Sequence, residues 1–172
     1  MIWDLAKMKI PPCPFPKSYP SQLQKDHQFY MQNAYNQAVD GWNSGEVPVG
    51  AVVRHADQII SSAHNQTRMH KDPTAHAEMI ALTMAAKHIG DWRLNECILY
   101  VTKEPCPMCS GAIIMARMGE VHYAFKDPKM GCLGGAVSLH TLPESNHKPI
   151  ISTGLLSSEC QELVRSFFKL QR

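Results

Sequence analysis

Two short stretches of this chain combine one histidine with two cysteines in a pattern that suits a metal ion. The first is His76-Ala77-Glu78 and the second is Pro105-Cys106-Pro107-Met108-Cys109. One imidazole and two thiolates provide three protein ligands, whereas a structural zinc is usually closed by four. The pattern therefore predicts one catalytic zinc per chain, with an open position for water, bound by His76, Cys106 and Cys109.

Both stretches fall where a helix is expected to begin. Asp72-Pro73-Thr74 precedes an apolar run of helical spacing that stops at Gly90, and Pro105 precedes a second such run. The two cysteines are three residues apart, so their sulfurs share a helix face, and the positive end of the helix dipole favours thiolates. Glu78 is two residues from His76, which puts the two side chains on different faces. We therefore predict that Glu78 carries protons at the site and does not bind the metal.

Helices and strands are predicted to alternate along the rest of the chain. A capping-box pattern at Ser21 is expected to start a first helix that runs to Gly45. Runs rich in β-branched residues at 49–55 and 58–63 predict a hairpin, and further strands are expected at 97–102, 121–125 and 149–152. The helix that begins near Pro105 should extend to Met118. A final helix should start near Ser158, with that serine as its N-cap. The alternation predicts an α/β fold with one mixed sheet and helices on both faces.

The length of 172 residues suits one domain at 21–172, preceded by a proline-rich extension at 1–20. Five prolines between residues 11 and 20 forbid a helix there and favour an extended arm. A free tail is expected, the alternative being a strap over the domain or over a partner subunit. No apolar run is long enough for a membrane span, and the cysteines are expected to be reduced in the cytoplasm. A net charge of +2 neither establishes nor excludes a nucleic-acid partner.

The metal pattern is the known signature of zinc-dependent base deaminases. Further segments make the chain resemble bacterial tRNA adenosine deaminases, within the cytidine and deoxycytidylate deaminase superfamily. The resemblance runs from about residue 24 to the C-terminus. The segments that carry it are Glu46-Val47-Pro48-Val49-Gly50-Ala51, Asn65, Asp72 to Glu78, Leu99-Tyr100-Val101-Thr102, Asp127-Pro128-Lys129, Asn146-His147, Glu159-Cys160 and Phe167-Phe168.

This resemblance implies a three-layer α/β/α cytidine-deaminase-like fold for the zinc-dependent deaminase domain. It implies hydrolytic deamination of adenosine to inosine at the wobble position of a tRNA anticodon loop, by a zinc-activated water and with Glu78 moving the protons. It further implies that Asn65 binds the target base, and that the RNA is the anticodon stem-loop bound by a homodimer. The remaining substrate-binding residues that it implies are Asp127, Lys129 and Phe168.

Two other functions stay open. The same zinc chemistry could act on a free base or nucleoside, such as guanine or cytosine, because the motif determines the reaction and not the base. The chain could also be a catalytically silent RNA-binding module stabilised by zinc, although such a site has no use for Glu78. The Asp127 loop and the Phe167-Phe168 pair favour the tRNA substrate.

Two sequence features depart from the pattern of this family, and a third leaves its RNA contacts open. Lys103 stands where the relatives usually have an apolar residue, and Cys132-Leu133-Gly134-Gly135 replaces a more usual loop. Both are expected near the mouth of the pocket. The last helix should carry a basic face, which is either an RNA contact or a solvated surface. That face consists of Arg165, Lys169 and Arg172.

Overall fold

A computed structural model describes residues 10–171 as one five-stranded sheet with helices on both sides. Residues 1–9 of the extension and Arg172 of the predicted basic face lie outside the described part. In chain order the elements are α1 (His27–Asn43), β1 (Gly50–His55), β2 (Gln58–His64), α2 (Thr67–His70), α3 (Ala77–Ile89), β3 (Cys97–Val101), α4 (Pro107–Met115), β4 (Glu120–Tyr123), a 3-10 turn (Leu139–Thr141), β5 (Ile150–Thr153) and α5 (Ser157–Lys169).

The sheet is mixed, as the sequence predicts. Its strand order is β2-β1-β3-β4-β5. β1 pairs antiparallel with both β2 and β3, whereas β3, β4 and β5 run parallel. The parallel strands are joined by connections that contain helix or loop, because a parallel pair needs a crossover. The predicted hairpin at 49–63 is therefore the antiparallel edge of the sheet.

Alternating side chains of the strands feed two separate cores. On β1, Ala51 and Val53 pack with α3 and α4, whereas Val52 between them packs with α1 and α5. This alternation is the two-residue period of a strand that is buried on both faces. The predicted three-layer α/β/α arrangement is therefore confirmed, and α3 and α4 share one layer.

The first helix starts later than the sequence pattern predicts. Its N-cap is Asp26, whose Oδ1 accepts the backbone N–H of Phe29 at 2.8 Å. Ser21 instead accepts the N–H of Leu23 at 3.2 Å, in a turn that precedes the helix. The capping box at Ser21 is therefore wrong, because the chain reaches α1 through a turn that the local pattern alone does not specify.

The described part of the proline-rich arm is tied to α1. Trp42 Nε1 donates to the carbonyl of Pro11 at 2.9 Å, and Phe15 packs edge-on against the Trp42 ring. Ser18 exchanges two hydrogen bonds with the amide of Asn36, at 2.8 and 2.6 Å. These contacts are those of a strap over the domain, not of the free tail that the sequence favoured.

Other element ends depart from the sequence pattern as well. α4 ends at Met115 and not at Met118. α5 begins at Ser157, and its N-cap is Leu156, which has φ of 52° and no side-chain capping bond. The predicted serine cap of the last helix is therefore wrong. Within residues 10–171, no helix is long and apolar enough to cross a membrane.

Candidate metal centre and active site

The three predicted metal ligands meet at the N-termini of two helices in one layer. His76 is the N-cap residue of α3, Cys106 is the N-cap residue of α4, and Cys109 lies in the first turn of α4. The Nδ1 atom of His76 is 3.6 Å from Cys106 Sγ and 3.5 Å from Cys109 Sγ. All three ligand atoms lie within 4.8 Å of one another. This His/Cys/Cys group could therefore hold a metal ion.

The spacing of these atoms suits zinc. A tetrahedral zinc bonds nitrogen at about 2.0–2.1 Å and sulfur at about 2.3 Å, which holds the two atoms about 3.6 Å apart. The two observed nitrogen-to-sulfur distances, 3.6 and 3.5 Å, match that separation. One imidazole with two thiols is also a donor set that zinc prefers over calcium or magnesium. With three protein ligands, a fourth position is left for water or substrate.

The two cysteines differ sharply in acidity. A hydrogen bond from the Cys109 thiol, together with contact to His76, lowers the pKa of Cys106 to about 4 although burial opposes this. The same bond, with burial, raises the pKa of Cys109. The hydrogen bond between the two sulfurs and the nearby imidazole therefore favour the thiolate form of Cys106. Such a thiolate is ready to bind a cation.

Glu78 lies beside the ligands, buried within the first turn of α3. Its side chain is 3% exposed, and burial raises the pKa of its carboxyl group. One carboxylate oxygen, Oε2, has no hydrogen-bond partner among the described residues. A buried polar atom without a protein partner is rare, and it calls for an explanation such as a bound water, an ion or a catalytic role. Glu78 therefore lies next to the His/Cys/Cys group with one unbonded carboxylate oxygen, and its role as proton carrier stays a prediction.

The comparisons with known proteins agree with this geometry. The sequence profile of the MafB19-like deaminases matches residues 25–171. The chain belongs to this deaminase family. Its similarity to a tRNA-specific adenosine deaminase of Bacillus subtilis is 39% identity over 142 residues, which is 83% of this chain and 88% of that protein. The resemblance to bacterial tRNA adenosine deaminases is therefore confirmed.

Solved structures of other deaminases are also similar to this chain. One, from work on A-to-I editing by tRNA deaminases at the wobble position of transfer RNA, superposes with a TM-score of 0.75 at 38% identity, covering 78% of this chain and 97% of that one. A guanine deaminase of Bacillus subtilis superposes with a TM-score of 0.56 at 31% identity, covering 85% and 94%. These likenesses confirm the cytidine-deaminase-like fold.

Asn65 lies beside the start of α3, the helix whose N-cap is His76. Its Oδ1 accepts the backbone N–H of Ala77 at 2.9 Å, and its Nδ2 donates to the carbonyl of Val47 at 3.2 Å. The side chain is 7% exposed, so both bonds fix its orientation. An amide nitrogen carries two hydrogens, and the second is left for a ligand. Asn65 therefore contacts the residue that follows His76, and its binding of the target base stays a prediction.

The other predicted substrate residues lie on two different elements. Asp127 is largely engaged within the protein, because the Lys103 ammonium pairs with its Oδ2 and the N–H groups of Lys129 and Met130 donate to its Oδ1. Although burial opposes it, the Lys103 hydrogen bond lowers the pKa of Asp127. Phe168 is 44% exposed on α5, in the layer opposite α3 and α4.

One buried carboxylate near the site escaped the sequence reasoning. Glu46 is fully buried and caps the short helix α2. Its carboxylate accepts the N–H groups of Arg68 and Met69, both at 2.9 Å, and the hydroxyl of Thr67 at 3.1 Å. It thereby anchors the segment that follows Asn65. The partners lie at least 21 residues away in sequence, so no local pattern could have revealed them.

Proposed function

We propose that this deaminase is zinc-dependent and converts adenosine to inosine at the wobble position of a tRNA anticodon loop. The observation that carries the proposal is the buried Glu78, with its free oxygen, beside a His/Cys/Cys group in a chain that is 39% identical to a tRNA-specific adenosine deaminase. A silent RNA-binding module would gain nothing from that carboxylate, because a buried polar atom without a partner is costly.

The reaction assigns a role to each group at the site. Zinc held by His76, Cys106 and Cys109 would supply Lewis-acid activation of a water molecule near neutral pH. Glu78 takes one proton from that water and gives it to N1 of adenine as the oxygen bonds to C6. It then takes the remaining proton of the attacking water from the new C6 hydroxyl and gives it to the amine, and the C6–N bond breaks to release ammonia. Water and adenosine thus give inosine and ammonia, and Glu78 ends in its starting state.

Recognition of the base falls to Asn65 in this proposal. The free hydrogen of its amide can donate to an acceptor on the edge of a flipped base. Because Ala77 and Val47 already fix the amide, little rotamer entropy is lost on binding. Substitution of Asn65 by alanine should therefore weaken substrate binding and leave the metal in place.

The anticodon stem-loop is the proposed partner. Phe168, 44% exposed, offers a ring on which an extruded loop base can stack, and Lys129 is an exposed cation on the loop that carries Asp127. The role of Asp127 is to hold this loop and the Lys103 ammonium in place, since both carboxylate oxygens already have partners. A tRNA substrate, together with six cysteines that form no disulfide, suits the cytoplasm.

We further propose that two copies pair through the layer of α3 and α4. An apolar groove of about 490 Å³ lies there, lined by residues that include Met79, Trp92 and Met115. Trp92 is 56% and Met115 is 75% exposed in the single chain. An exposed apolar surface of this kind becomes buried when the same surface of a second copy, related by a twofold axis, packs against it. Substitution Met115→Glu should give monomers in sedimentation, whereas Leu23→Glu, at a 95% exposed position in the turn before α1, should not.

A deaminase of free guanine is the second candidate, favoured by the 31% identity to a guanine deaminase of Bacillus subtilis. The deciding experiment incubates the zinc-loaded protein with an anticodon stem-loop that has adenosine at the wobble position, and separately with free adenosine, guanine and cytosine. Inosine in the stem-loop is the expected product. Xanthine from guanine, with an unchanged stem-loop, would make the second candidate correct.

A further inference from the structure

A third buried carboxylate, that of Glu104, joins the segment that contains Cys106 to the loop at 126–137. It lies two residues before Cys106 and is 2% exposed. Its Oε2 accepts the backbone N–H of Asp127 at 2.7 Å. Its Oε1 accepts the N–H groups of Leu133 at 2.9 Å and of Gly135 at 2.7 Å. One side chain therefore satisfies three backbone donors spread over nine loop positions, each at hydrogen-bonding distance.

The loop is built to touch this carboxylate with bare backbone. A Cβ atom on either Gly131 or Gly135 would overlap Glu104 Oε2 and crowd the carbonyl of Asp127. Only glycine leaves room for so close an approach. Gly135, which in the sequence is only part of an unusual loop, is therefore required by the close approach of its backbone to Glu104.

The connection continues on both sides of Glu104. Its own N–H donates to the carbonyl of Phe125 at 3.0 Å, and the N–H of Cys132 donates to the carbonyl of Pro105 at 3.0 Å. The Lys103 ammonium pairs with the Asp127 carboxylate. The segment 103–105 and the loop 126–137 are therefore bonded at several points, and Glu104 supplies three of those bonds.

We propose that Glu104 is a positioning residue for substrate binding, which holds the loop 126–137 against segment 103–105 and so fixes the position of Lys129, the exposed cation of this loop that is proposed to contact the RNA. This inference rests on the proposed RNA substrate. None of the three N–H donors belongs to a metal ligand, and Cys106 and Cys109 are oriented by α4 itself. Glu104 thus acts on affinity for the substrate, and not on metal binding or on the chemical step.

The first test variant is Glu104→Gln. A glutamine has one acceptor oxygen and an NH₂ group, so at least one loop N–H must face a donor. A lost hydrogen bond to a charged group corresponds to about 10-fold or more in an equilibrium constant. We therefore expect the dissociation constant for the stem-loop to rise by about 10-fold, with zinc content and the single-turnover plateau rate close to wild type.

The second variant perturbs the same contact from the loop side. Gly135→Ala keeps Glu104 and pushes the loop away from Oε2, and it should raise the dissociation constant in the same way. Because both substitutions disrupt the same contact, their effects on affinity should not add. The dissociation constant of the double variant should be close to that of the single variant that binds less tightly. The matched controls are Glu96→Gln, whose side chain is 87% exposed, and Gly111→Ala, whose new Cβ would meet open space. Both controls should bind like wild type.

Amide hydrogen exchange tests the contact without any substrate. In the wild-type protein the amides of Asp127, Leu133 and Gly135 should be protected, and Glu104→Gln should make at least one of them exchange faster. Fast exchange of all three in the wild type would overturn the proposal even if the variants fail to fold. An unchanged dissociation constant in Glu104→Gln and Gly135→Ala would also overturn it, as would an equal loss of zinc or of plateau rate. If the wild type shows no RNA activity, the proposed function fails, and the exchange pattern still reports on the contact.

Discussion

Substitution of Glu78 by glutamine separates the chemistry of the site from its stability. Glutamine matches the volume of glutamate, and Oε2 of Glu78 has no hydrogen-bond partner among residues 10–171. The change therefore breaks no bond to that oxygen, and the free energy of unfolding should change by less than the roughly 1 kcal/mol of one hydrogen bond. Proton transfer is lost, which should lower the rate of the chemical step by about 10²-fold to 10⁴-fold. That loss equals about 3–5 kcal/mol of the activation free energy.

The measurement is single-turnover formation of inosine in an anticodon stem-loop, with the enzyme in excess. Metal content is measured on the same preparation by elemental analysis, and the melting temperature and stem-loop affinity are compared with those of the wild type. Glu96→Gln makes the same chemical change at a side chain that is 87% exposed, and it should leave the rate unchanged.

Two results would refute this reasoning. A rate within a few-fold of wild type, with the metal in place, would show that Glu78 is not the proton carrier. Loss of the metal together with the rate would show that Glu78 is a ligand or supports one. In either case the assignment of Glu78 outside the coordination sphere, at the centre of the mechanism, would be wrong.

Three further predictions concern metal, salt and packing. Cys109→Ser should lower the bound zinc well below one per chain, because it removes one of three protein ligands, and undiminished zinc in elemental analysis would exclude the assignment. The KM for the stem-loop should rise with salt through loss of phosphate contacts, and a KM independent of salt would contradict an RNA substrate. Gly50→Ala should destabilise the fold by about 1–3 kcal/mol in urea unfolding, since its Cβ would overlap the carbonyl of Ala34 in α1, whereas Gly111→Ala should not.

The metal ligands could be predicted from sequence because their geometry is local. A histidine at one helix start and two cysteines at another need only the helix period and the capping rules to be placed. The order of strands and helices likewise follows from periodicity, and it yields the mixed sheet that the structure has. The helix positions of these residues depend on neighbours within a few residues, whereas the meeting of His76 with Cys106, 30 residues away, is a tertiary contact.

What the sequence missed depends on distant partners. The start of α1 is set at Asp26, after a turn at Ser21 and an arm that is bonded to Asn36 and Trp42. The capping of α2 by Glu46 spans more than 20 residues. In the last helix, the cap is a leucine in the left-handed region, which no propensity would select. In the first two of these cases a tertiary contact overrides a local preference.

The contact between Glu104 and the glycine backbone has a consequence for protein engineering. The His/Cys/Cys group stands at two helix starts, whereas three backbone N–H groups of the loop at 126–137 depend on one carboxylate that belongs to another segment. A loop transplanted from a relative will therefore fit only if it has glycine at 131 and 135, because any side chain at these positions would collide with Glu104. Libraries that aim to alter the preferred RNA should keep these two glycines and vary the residues between them.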